Sequence, residues 1–400
     1  MPTSQLIIRK CFIFTNAFPY GQAEAFLETE VVYLAKHFSK VIIIPYKQNS
    51  PYQRELPDNC TVMDPVMHNK ARQVLSSIHH TKAIFLKELF TRGVLKSKKR
   101  IQNWITDLLI TNVYLASKPL KAIKRAIKPN DVLYFYWGRD ACNIIPFIDL
   151  PEAFKMIRFH GSDLWENLSD NYIPIRKRVL DKTDLTLFVS KAGMDYLKSL
   201  YPNINALLSR LGTNDHGLAK RSQDGIFRIV SCSYLVPVKR VSFILEVLNH
   251  LEEMSIEWTH IGDGPELEQL KEAVKGCRYP VHLTGNINQK ELVSYYQSHE
   301  VDLFINLSSS EGIPVTIMEA ISYNIPVVAT NVGGVSEIVN HETGILVSAN
   351  PSIEEVVTAI YKAKSTSFSP RNFWEGNYVS DTNYTKFLNQ LRRDESTQTR

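Results

Sequence analysis

The stretch Asn306–Val347 reads NLSSSEGIPVTIMEAISYNIPVVATNVGGVSEIVNHETGILV, and its pattern indicates the class of fold. Its first residues end an apolar run, and a serine-rich loop then leads to Glu311-Gly312. Pro314 suits the first turn of a helix, where no backbone N–H is needed, and we expect that helix to end near Tyr323. A second apolar run, Pro326–Ala329, follows. The order of strand, helix and strand predicts a βαβ unit with parallel strands.

The same alternation extends in both directions along the chain. Strand-like apolar runs lie at Cys11–Asn16, Val41–Pro45, Asp131–Trp137, Lys155–Phe159, Leu185–Ser190, Phe227–Cys232, Glu257–Ile261, Val281–Thr284 and Asp302–Leu307. Helical stretches separate them, the first from about Ala23 to Phe38. The polar stretch at 211–225, LGTNDHGLAKRSQDG, has the composition of a linker. We therefore predict two doubly wound α/β domains, at 1–208 and 209–371.

Composition limits the class of protein. The 400 residues allow two domains, and 44% hydrophobic with 22% charged residues is ordinary for a soluble enzyme. The amino-terminal sequence lacks a signal-peptide cleavage pattern, and no apolar run reaches the roughly 18 residues of a membrane span. The five scattered cysteines show no zinc-binding spacing, so we expect free thiols and a cytoplasmic location.

The charge is unevenly distributed. The net charge is +5, but the segment 68–128 contains fourteen basic residues and only two acidic ones, Glu88 and Asp107. The basic residues are Lys70, Arg72, Lys82, Lys87, Arg92, Lys96, Lys98, Lys99, Arg100, Lys118, Lys121, Lys124, Arg125 and Lys128. Two interpretations stay open for these predicted helices: contact with an anionic membrane surface, or a solvated helix face. No nucleic-acid-binding module is present, so we expect no nucleic-acid partner.

The loop and helix after Asn306 could bind a phosphorylated sugar. Where a parallel strand meets the following helix, free backbone N–H groups and the helix dipole attract phosphate. Glu311 precedes that helix and Glu319 lies two turns inside it. Their carboxylates could accept hydrogen bonds from sugar and ribose hydroxyls, and Thr316 could donate to a phosphate oxygen. The glutamate pair alone is also compatible with a plain solvated helix.

The surrounding motifs resemble those of a known family. The stretch Glu311–Glu319 is similar to the Glu-x7-Glu signature of the family 4 glycosyltransferases, retaining enzymes of the GT-B fold. The resemblance covers 226–348 and includes Val238–Val241 (VKRV), Ile261–Pro265 (IGDGP), His282–Gly285 (HLTG), Gly333-Gly334 and Glu337. Phe18–Glu30, Arg158–Leu164 (RFHGSDL), Ile173–Arg176 and Ser209–Gly212 resemble bacterial enzymes that build capsule, exopolysaccharide or O-antigen chains.

The resemblance implies a fold and a reaction. Two Rossmann-like domains would face each other across a cleft, and the helices at about 372–391 would pack back onto the first domain. A sugar would pass from a UDP- or GDP-sugar to a hydroxyl of a glycan, with retention of configuration and without a metal ion or cofactor. A lipid-linked acceptor would place the protein at the inner face of the bacterial cytoplasmic membrane.

The resemblance also implies residue roles. Glu311 would hold hydroxyls of the donor sugar, and Glu319 those of the ribose. Lys239 would neutralise the diphosphate, and His160 would lie beside the leaving phosphate. Gly21 would let the first loop approach the reacting centre. The remaining donor-binding residues would be Arg240, Gly312, Ile313, Pro314, Val315 and Thr316.

Some positions depart from the family or remain open. Ser233 stands where many members have an arginine, whose task Arg240 or backbone amides could assume. Pro314 replaces a second glycine, which removes one amide donor. Asp163 could orient an acceptor hydroxyl or cap a helix. Trp137 and Arg139 could line the acceptor site or pack against a loop.

Two other functions remain open. A nucleotide-sugar 2-epimerase shares the same two-domain build, and a non-catalytic GT-B scaffold could retain the fold. The block Glu311–Glu319 and the IGDGP motif favour sugar transfer over epimerisation.

Overall fold

The computed structural model describes residues 7–21, 24–68 and 70–398. The chain divides into two compact units. The amino-terminal unit comprises Met1–Ser209 and Tyr384–Arg400, and the carboxyl-terminal unit comprises Arg210–Asn383. Gln22 and Ala23, which the sequence assigned to the first loop and the start of the first helix, lie outside the described residues.

The strands are β1 (Ile7–Thr15), β2 (Phe38–Pro45), β3 (Cys60–Val62), β4 (Val132–Phe135), β5 (Phe154–Phe159), β6 (Leu185–Phe188), β7 (Ala206–Leu208), β8 (Phe227–Cys232), β9 (Ile256–Ile261), β10 (Val281–Leu283), β11 (Leu303–Asn306), β12 (Val327–Thr330) and β13 (Gly344–Val347).

The α-helices are α1 (Phe26–His37), α2 (Lys70–Thr91), α3 (Lys98–Ala116), α4 (Lys118–Ala126), α5 (Arg176–Leu180), α6 (Lys191–Leu200), α7 (Val241–Asn249), α8 (Leu267–Ala273), α9 (Gln289–Ser298), α10 (Val315–Ser322), α11 (Ile353–Ser365), α12 (Pro370–Asn377) and α13 (Ser380–Gln398). Short 3₁₀ turns lie at Val94–Lys96, Asp140–Phe147, Glu166–Ser169, Pro237–Lys239, Val274–Gly276 and Val335–Glu337.

Each unit is built on one parallel sheet. In the amino-terminal unit the strand order is β3-β2-β1-β4-β5-β6-β7, and in the carboxyl-terminal unit it is β10-β9-β8-β11-β12-β13. Successive strands are therefore added first on one side of β1 and then, from β4 onward, on its other side; the second sheet changes sides in the same way between β8 and β11. Ligands of open α/β sheets bind at such switch points, beyond the carboxyl ends of the strands. Both switch points thus become candidate sites.

The central strands are buried on both faces. All four residues of β4, β6, β11 and β12 are buried. Helices cover both faces of a parallel sheet, so its strands are continuous apolar runs rather than alternating ones. Trp258, which is fully buried on β9, is part of this core.

The ten strands predicted from the sequence are all present, with ends shifted by a few residues. Three further strands, β3, β7 and β13, have no counterpart in the prediction. Each is three or four residues long and half-buried for the most part, so its apolar signal is weak. These three strands lie at sheet edges, where only one neighbour supplies hydrogen bonds.

The carboxyl-terminal helices contribute to different cores. Helix α12 packs against α10, and the indole N–H of Trp374 donates to the hydroxyl of Thr213 at 2.8 Å. Further along, Phe387, Leu388 and Leu391 of α13 join the core formed by α1 and β1 of the amino-terminal unit. Among the residues that the structure describes, no helix is both long and apolar enough to cross a membrane.

Candidate functional site

The carboxyl-terminal unit brings two predicted site residues into contact at its switch point. Lys239 ends the short turn that follows β8, and Glu311 lies in the loop that follows β11. Because β8 and β11 are neighbours, these loops meet at the same edge of the sheet. The Lys239 ammonium donates to Oε1 of Glu311 at 2.5 Å. The Lys239 side chain is 25% exposed and that of Glu311 only 9%, so water competes weakly for this ion pair.

Backbone hydrogen bonds hold the two loops together. The N–H of Ser309 donates to the carbonyl of Val238 at 2.8 Å, which ties the β11 loop directly to the residue before Lys239. Asn306 adds a weaker side-chain bond, at 3.4 Å, to Oε1 of Glu311. The position of the ion pair is therefore fixed by the backbone as well as by its own charges.

Arg240 forms hydrogen bonds with the loops that follow β11 and β13. Its guanidinium donates to the carbonyls of Leu307 at 2.6 Å, Ser308 at 2.9 Å and Ala349 at 2.9 Å. These bonds connect the segments that follow β11 and β13 to the start of α7. Nε and Nη2 thus have carbonyl partners, whereas Nη1 contacts only Oδ1 of Asn350 at 3.4 Å. Arg240 therefore helps to position these loops, and direct contact with donor phosphate stays a prediction.

Two glycines permit a close backbone contact behind Glu311. Gly333 has a φ of +56°, and a β-carbon on it would lie 1.8 Å from the carbonyl oxygen of Glu311. The N–H of Gly334 donates to the carbonyl of Gly312 at 2.8 Å. A residue with a side chain could not occupy position 333 without moving the Glu311 loop. The contact at Gly333-Gly334 thus fixes the position of the Glu311 loop.

Helix α10 begins one residue later than the sequence indicated. Pro314 is the N-cap, with an extended backbone, and Val315 is the first helical residue. Ile313 is buried, whereas Val315 and Thr316 remain partly exposed at the start of the helix. The N–H of Ile317 donates to the carbonyl of Pro314 at 3.1 Å. Those of Val315 and Thr316 stand at the helix positions that lack an intrahelical acceptor, so they can bind an anion.

Glu319 lies on α10, apart from the ion pair. Its Oε1 accepts a hydrogen bond from the amide of Gln289 at 2.8 Å. Burial raises the pKa of Glu319 to about 7, well above the ordinary value for a glutamate. A partly buried carboxylate with one neutral partner has capacity to accept further hydrogen bonds, as ribose hydroxyls would require.

In the amino-terminal unit, His160 follows β5 and is packed among aromatic rings. The centroid of its ring lies 4.6 Å from the ring centroid of Trp137 and 5.2 Å from that of Phe26. Nε2 donates to the carbonyl of Tyr136 at 3.0 Å, which leaves the lone pair on Nδ1. Burial lowers the pKa of His160 to about 4, although Asp163 opposes this shift, so the imidazole is neutral at pH 7.

The carboxylate of Asp163 caps the loop that carries His160. It accepts hydrogen bonds from the backbone N–H groups of His160 at 3.0 Å, Gly161 at 2.9 Å and Gly138 at 2.7 Å. The sequence left open a helix cap or an acceptor-orienting role. The structure shows Asp163 capping loops rather than a helix, and the acceptor role stays a prediction. Its carboxylate joins the loops that follow β4 and β5.

Glu24 is a site residue that the sequence reasoning missed. It accepts backbone hydrogen bonds from Asn16 at 3.0 Å, Ala17 at 2.8 Å and Phe18 at 2.7 Å, and the indole N–H of Trp137 at 2.6 Å. These bonds close the loop after β1 against the loop after β4. Its position within FPYGQAEAF could have indicated a loop-capping acid, but nothing marks it apart from Glu28 or Glu30.

Gly21 lies in the same first loop, with a φ of +65°. Its N–H donates to the carbonyl of Tyr52 at 2.9 Å, and its carbonyl accepts from Nε of Arg54 at 3.0 Å. A β-carbon there would come within 3.1 Å of the Asn49 side chain. The structure gives Gly21 a role in loop closure, and its approach to the reacting centre stays a prediction.

A buried ion pair lies next to the strands that carry these loops. Arg158 and Glu30 are almost completely buried and their side chains meet at 3.0 Å. Glu30 also accepts from the hydroxyl of Tyr134 at 2.7 Å and that of Tyr136 at 3.1 Å. Burial alone would lower the pKa of Arg158, but the Glu30 carboxylate raises it above its ordinary value. Arg158 therefore stays charged, and the pair holds α1 against β4 and β5.

A cavity of about 490 Å³ opens beside these loops. It is lined by Asn16, Asn103, Thr106, Ile110, Trp137, Arg139, Asp140, Ser162 and Asp163. Arg139 donates to Asp107 at 3.0 Å, so its charge is balanced. Burial and the Asp107 carboxylate raise the pKa of Asp140 to about 6. Trp137 and Arg139 thus line a cavity and also make structural contacts, and that this cavity is the acceptor site stays a prediction.

No group of three or more His, Cys, Asp or Glu side chains suited to a metal ion occurs within 7–21, 24–68 and 70–398. Independence from metals stays a prediction. The five cysteines are free thiols, as expected.

Comparison with known proteins agrees with this geometry. Residues 219–378 match the family model described as "Glycosyl transferases group 1". An amylovoran biosynthesis glycosyltransferase of Erwinia amylovora is 24% identical over 277 residues, which are 65% of this chain and 66% of that protein. An O-antigen biosynthesis glycosyltransferase of Escherichia coli is 31% identical over 121 residues, 30% of this chain and 33% of that protein. The matched region thus spans less than two thirds of each relative.

Solved structures show the same fold. The lipopolysaccharide outer core galactosyltransferase WaaB aligns with a TM-score of 0.64 at 14% identity, covering 96% of this chain and 99% of that chain. Anabaena HepE, solved in complex with UDP, aligns with a TM-score of 0.64 at 13% identity, covering 96% of this chain and all of that one. The predicted GT-B fold class and the resemblance found in the sequence are thereby confirmed. Over residues 219–378, this chain is similar to the group 1 glycosyltransferases.

Proposed function

We propose that this protein is a retaining, metal-independent glycosyltransferase of bacterial surface polysaccharide biosynthesis. It would transfer a hexosyl group from a UDP- or GDP-sugar to a hydroxyl of a glycan acceptor. The observation that carries the proposal is the Lys239–Glu311 ion pair beside the first turn of α10, at a switch point. The curated relatives named for amylovoran and O-antigen biosynthesis support the class of acceptor.

The geometry suits a sugar diphosphate. The diphosphate gains negative charge as its bond to the sugar breaks, and the ammonium of Lys239 with the first N–H groups of α10 would stabilise that charge. The carboxylate of Glu311 would accept hydrogen bonds from hydroxyls of the sugar, while the ammonium of Lys239 would turn to the phosphate. Further along α10, the carboxylate of Glu319 would accept hydrogen bonds from the ribose hydroxyls.

Retention of configuration follows if the leaving group also acts as the base. The bond from the anomeric carbon to the diphosphate oxygen breaks, and a bond to the acceptor oxygen forms on the same face. The acceptor proton passes to the departing diphosphate, whose position Lys239 holds. His160 keeps the role implied by the family resemblance, as a neutral imidazole with a lone pair on Nδ1.

The cavity of the amino-terminal unit is the proposed acceptor subsite. Asp163 is occupied by backbone N–H groups and Arg139 by Asp107, whereas the carboxylate of Asp140 accepts no hydrogen bond from the described residues. Asp140 therefore gives the cavity a negative character that suits the hydroxyls of an uncharged sugar. A sugar carrying a carboxylate would be repelled. We further propose that this acceptor is lipid-linked, which places the protein at the inner face of the cytoplasmic membrane.

The test is a thermal-shift screen against UDP- and GDP-sugars, followed by a transfer assay with the stabilising donor and uncharged or acidic glycosides. A ligand that binds only the native state raises the melting temperature. We expect one donor to give a clear shift and an α-linked or β-linked product that retains the donor configuration. Conversion of the donor into its 2-epimer without any acceptor would instead identify an epimerase, and absence of both binding and donor hydrolysis would identify a scaffold.

A further inference from the structure

Helix α2 carries an exposed ridge that the proposed reaction does not use. Leu75, Ile78, Lys82, Leu86 and Phe90 follow one another at intervals of three or four residues, so they form one continuous line on the helix. All five side chains are exposed, and Leu75 and Phe90 are each 77% exposed. We propose that this line, the α2 ridge, docks the protein onto an anionic lipid bilayer.

Exposed apolar side chains are concentrated in this region. Of the fourteen large hydrophobic side chains that are exposed in the described part of the chain, seven lie between Met67 and Ile105. Besides the ridge they include Leu95, which is 64% exposed in the turn after α2 and which we count with the ridge as part of the proposed docking surface. Single exposed apolar residues need no explanation, but a concentrated set indicates a contact surface.

The charges around the ridge are of one sign. Both acidic residues of the segment point inward: Glu88 accepts from the hydroxyl of Tyr172 at 3.0 Å, and Asp107 is fully buried against Arg139. Between residues 71 and 128, the exposed ionisable side chains are therefore basic or histidine. The exposed basic ones are Arg72, Lys82, Lys87, Arg92, Lys96, Lys98, Lys99, Lys118, Lys121, Lys124, Arg125 and Lys128.

The combination favours a bilayer over a protein partner. Lysine is depleted at protein–protein interfaces, because its strongly hydrated ammonium is costly to bury. Helices that lie in the headgroup region instead combine bulky apolar side chains with lysines, whose ammonium groups stay among the lipid phosphates. Lys82 lies within the ridge and Lys87 beside it, as in helices that lie in the lipid headgroup region.

The structure also separates docking residues from structural ones within the basic segment. Arg100 donates from Nε to the carbonyl of Asp170 at 2.9 Å and is half-buried. It therefore holds α3 against the turn Glu166–Ser169 rather than facing outward. Lys98 and Lys99, next to it, are exposed. A docking variant should change these lysines and leave Arg100 in place.

The experiment is sedimentation of the full chain with vesicles of phosphatidylcholine and phosphatidylglycerol, compared with phosphatidylcholine alone. We expect binding to the anionic vesicles that weakens as salt is raised. The double variant Leu86→Gln with Leu95→Gln should lower the partition coefficient about tenfold or more, since it removes inserted apolar surface. The quadruple variant K82Q/K87Q/K98Q/K99Q should abolish the preference for anionic vesicles.

Matched controls come from other parts of the chain. Leu200 is 46% exposed and Leu218 61%, close to the 47% of Leu86 and 64% of Leu95. The pair L200Q/L218Q should leave vesicle binding unchanged. The lysine control is K177Q/K198Q/K271Q/K275Q, which should retain the anionic preference. Circular dichroism and melting temperature check that each variant is folded.

Three outcomes would overturn the docking proposal. They are failure of the wild-type chain to bind anionic vesicles, an equal loss of binding in ridge and control variants, and a self-association that L86Q/L95Q abolishes without affecting vesicle binding. The last outcome would assign the ridge to a second copy of the chain. Vesicle binding is measured without donor or acceptor, so this proposal can fail while the glycosyl transfer proposed above stands.

Discussion

The two switch points use a glutamate in opposite ways. In the amino-terminal unit, Glu24 binds three backbone N–H groups and the indole of Trp137. In the carboxyl-terminal unit, Glu311 binds the ammonium of Lys239 and, more weakly, the amide of Asn306. Buried backbone N–H groups need their partner permanently, whereas a partly exposed lysine can turn to another anion. The first carboxylate completes a loop, and the second keeps a site ready for a ligand.

The largest effect that tests this comparison is expected for Glu311→Gln. A neutral amide would bind sugar hydroxyls less strongly and would release Lys239, so kcat should fall by about 10²–10³ fold. The free energy of unfolding should fall by about 1 kcal/mol, less than for a buried cap, because the released ammonium of Lys239 is 25% exposed and can be hydrated. Transfer kinetics and urea denaturation on the same sample measure both quantities.

Glu24→Gln is the matched variant in the other unit. A glutamine has one accepting oxygen and a donating NH₂ group, so it cannot satisfy the three loop N–H groups. We expect the free energy of unfolding to fall by about 2–3 kcal/mol. A loss of stability in Glu311→Gln as large as that in Glu24→Gln would show that both carboxylates are structural.

The next effect concerns the close contact behind Glu311. Gly333→Ala places a β-carbon 1.8 Å from the Glu311 carbonyl, at a φ of +56°. We expect it to destabilise the protein by about 3 kcal/mol, the sum of left-handed strain and the backbone shift. Gly285→Ala is the control: its φ is +69°, but its β-carbon would meet no described atom within 4 Å, so strain alone remains.

For Gly285→Ala we expect a loss of about 1 kcal/mol. Chemical denaturation measures both variants, and donor affinity should fall only in Gly333→Ala, where the Glu311 loop moves. Equal losses in the two variants would mean that the close approach at Gly333 contributes nothing.

The smallest effect is pH-dependent and concerns Glu319. Its pKa is raised to about 7 in the folded protein, so between about pH 4.5 and pH 7 the folded state binds more protons than the unfolded one. This contribution to stability is complete at low pH and is lost as the pH rises through 7. Glu319→Gln should therefore stabilise the unliganded protein by about 1–3 kcal/mol at pH 8 and have little effect at pH 4.5.

Nucleotide binding should show the opposite trend. If the ribose hydroxyls donate to the ionised carboxylate, the affinity for nucleotide should rise between pH 6 and pH 8 in the wild-type protein. It should be flat in Glu319→Gln. Calorimetry at three pH values separates the two cases, and an unchanged affinity in the variant would refute the ribose role.

The strands were predictable where they are central and apolar on both faces. Phe227–Cys232 and Leu303–Asn306 are such runs, and a buried parallel strand has this appearance. The edge strand Gly344–Val347 was missed, because it has only four residues, two of them half-buried, and it pairs with one neighbour, β12. Local apolarity cannot reveal a strand that depends mainly on its neighbour.

The sequence predicted which residues form the site better than it predicted the contacts they make. The motifs identified Lys239, Glu311 and Gly333, which the structure brings together. The sequence did not reveal the capping by Glu24, because its partners at Asn16 and Trp137 are united only by the strand order. Nor did it reveal that the guanidinium of Arg240 binds carbonyls of two distant loops, while contact of Arg240 with donor phosphate stays a prediction.

The sequence by itself determined the class of fold, the start of α10 to within one residue and the family motifs, because these depend on apolar periodicity and short spacings. Only the tertiary structure decided which charges remain available. Glu88 and Asp107 turn inward, Arg100 binds Asp170, and Lys239 meets Glu311 across 72 residues of chain. A side chain acts through whatever lies within hydrogen-bonding distance, and for these residues that is set by neighbouring strands and packed helices rather than by neighbours in sequence.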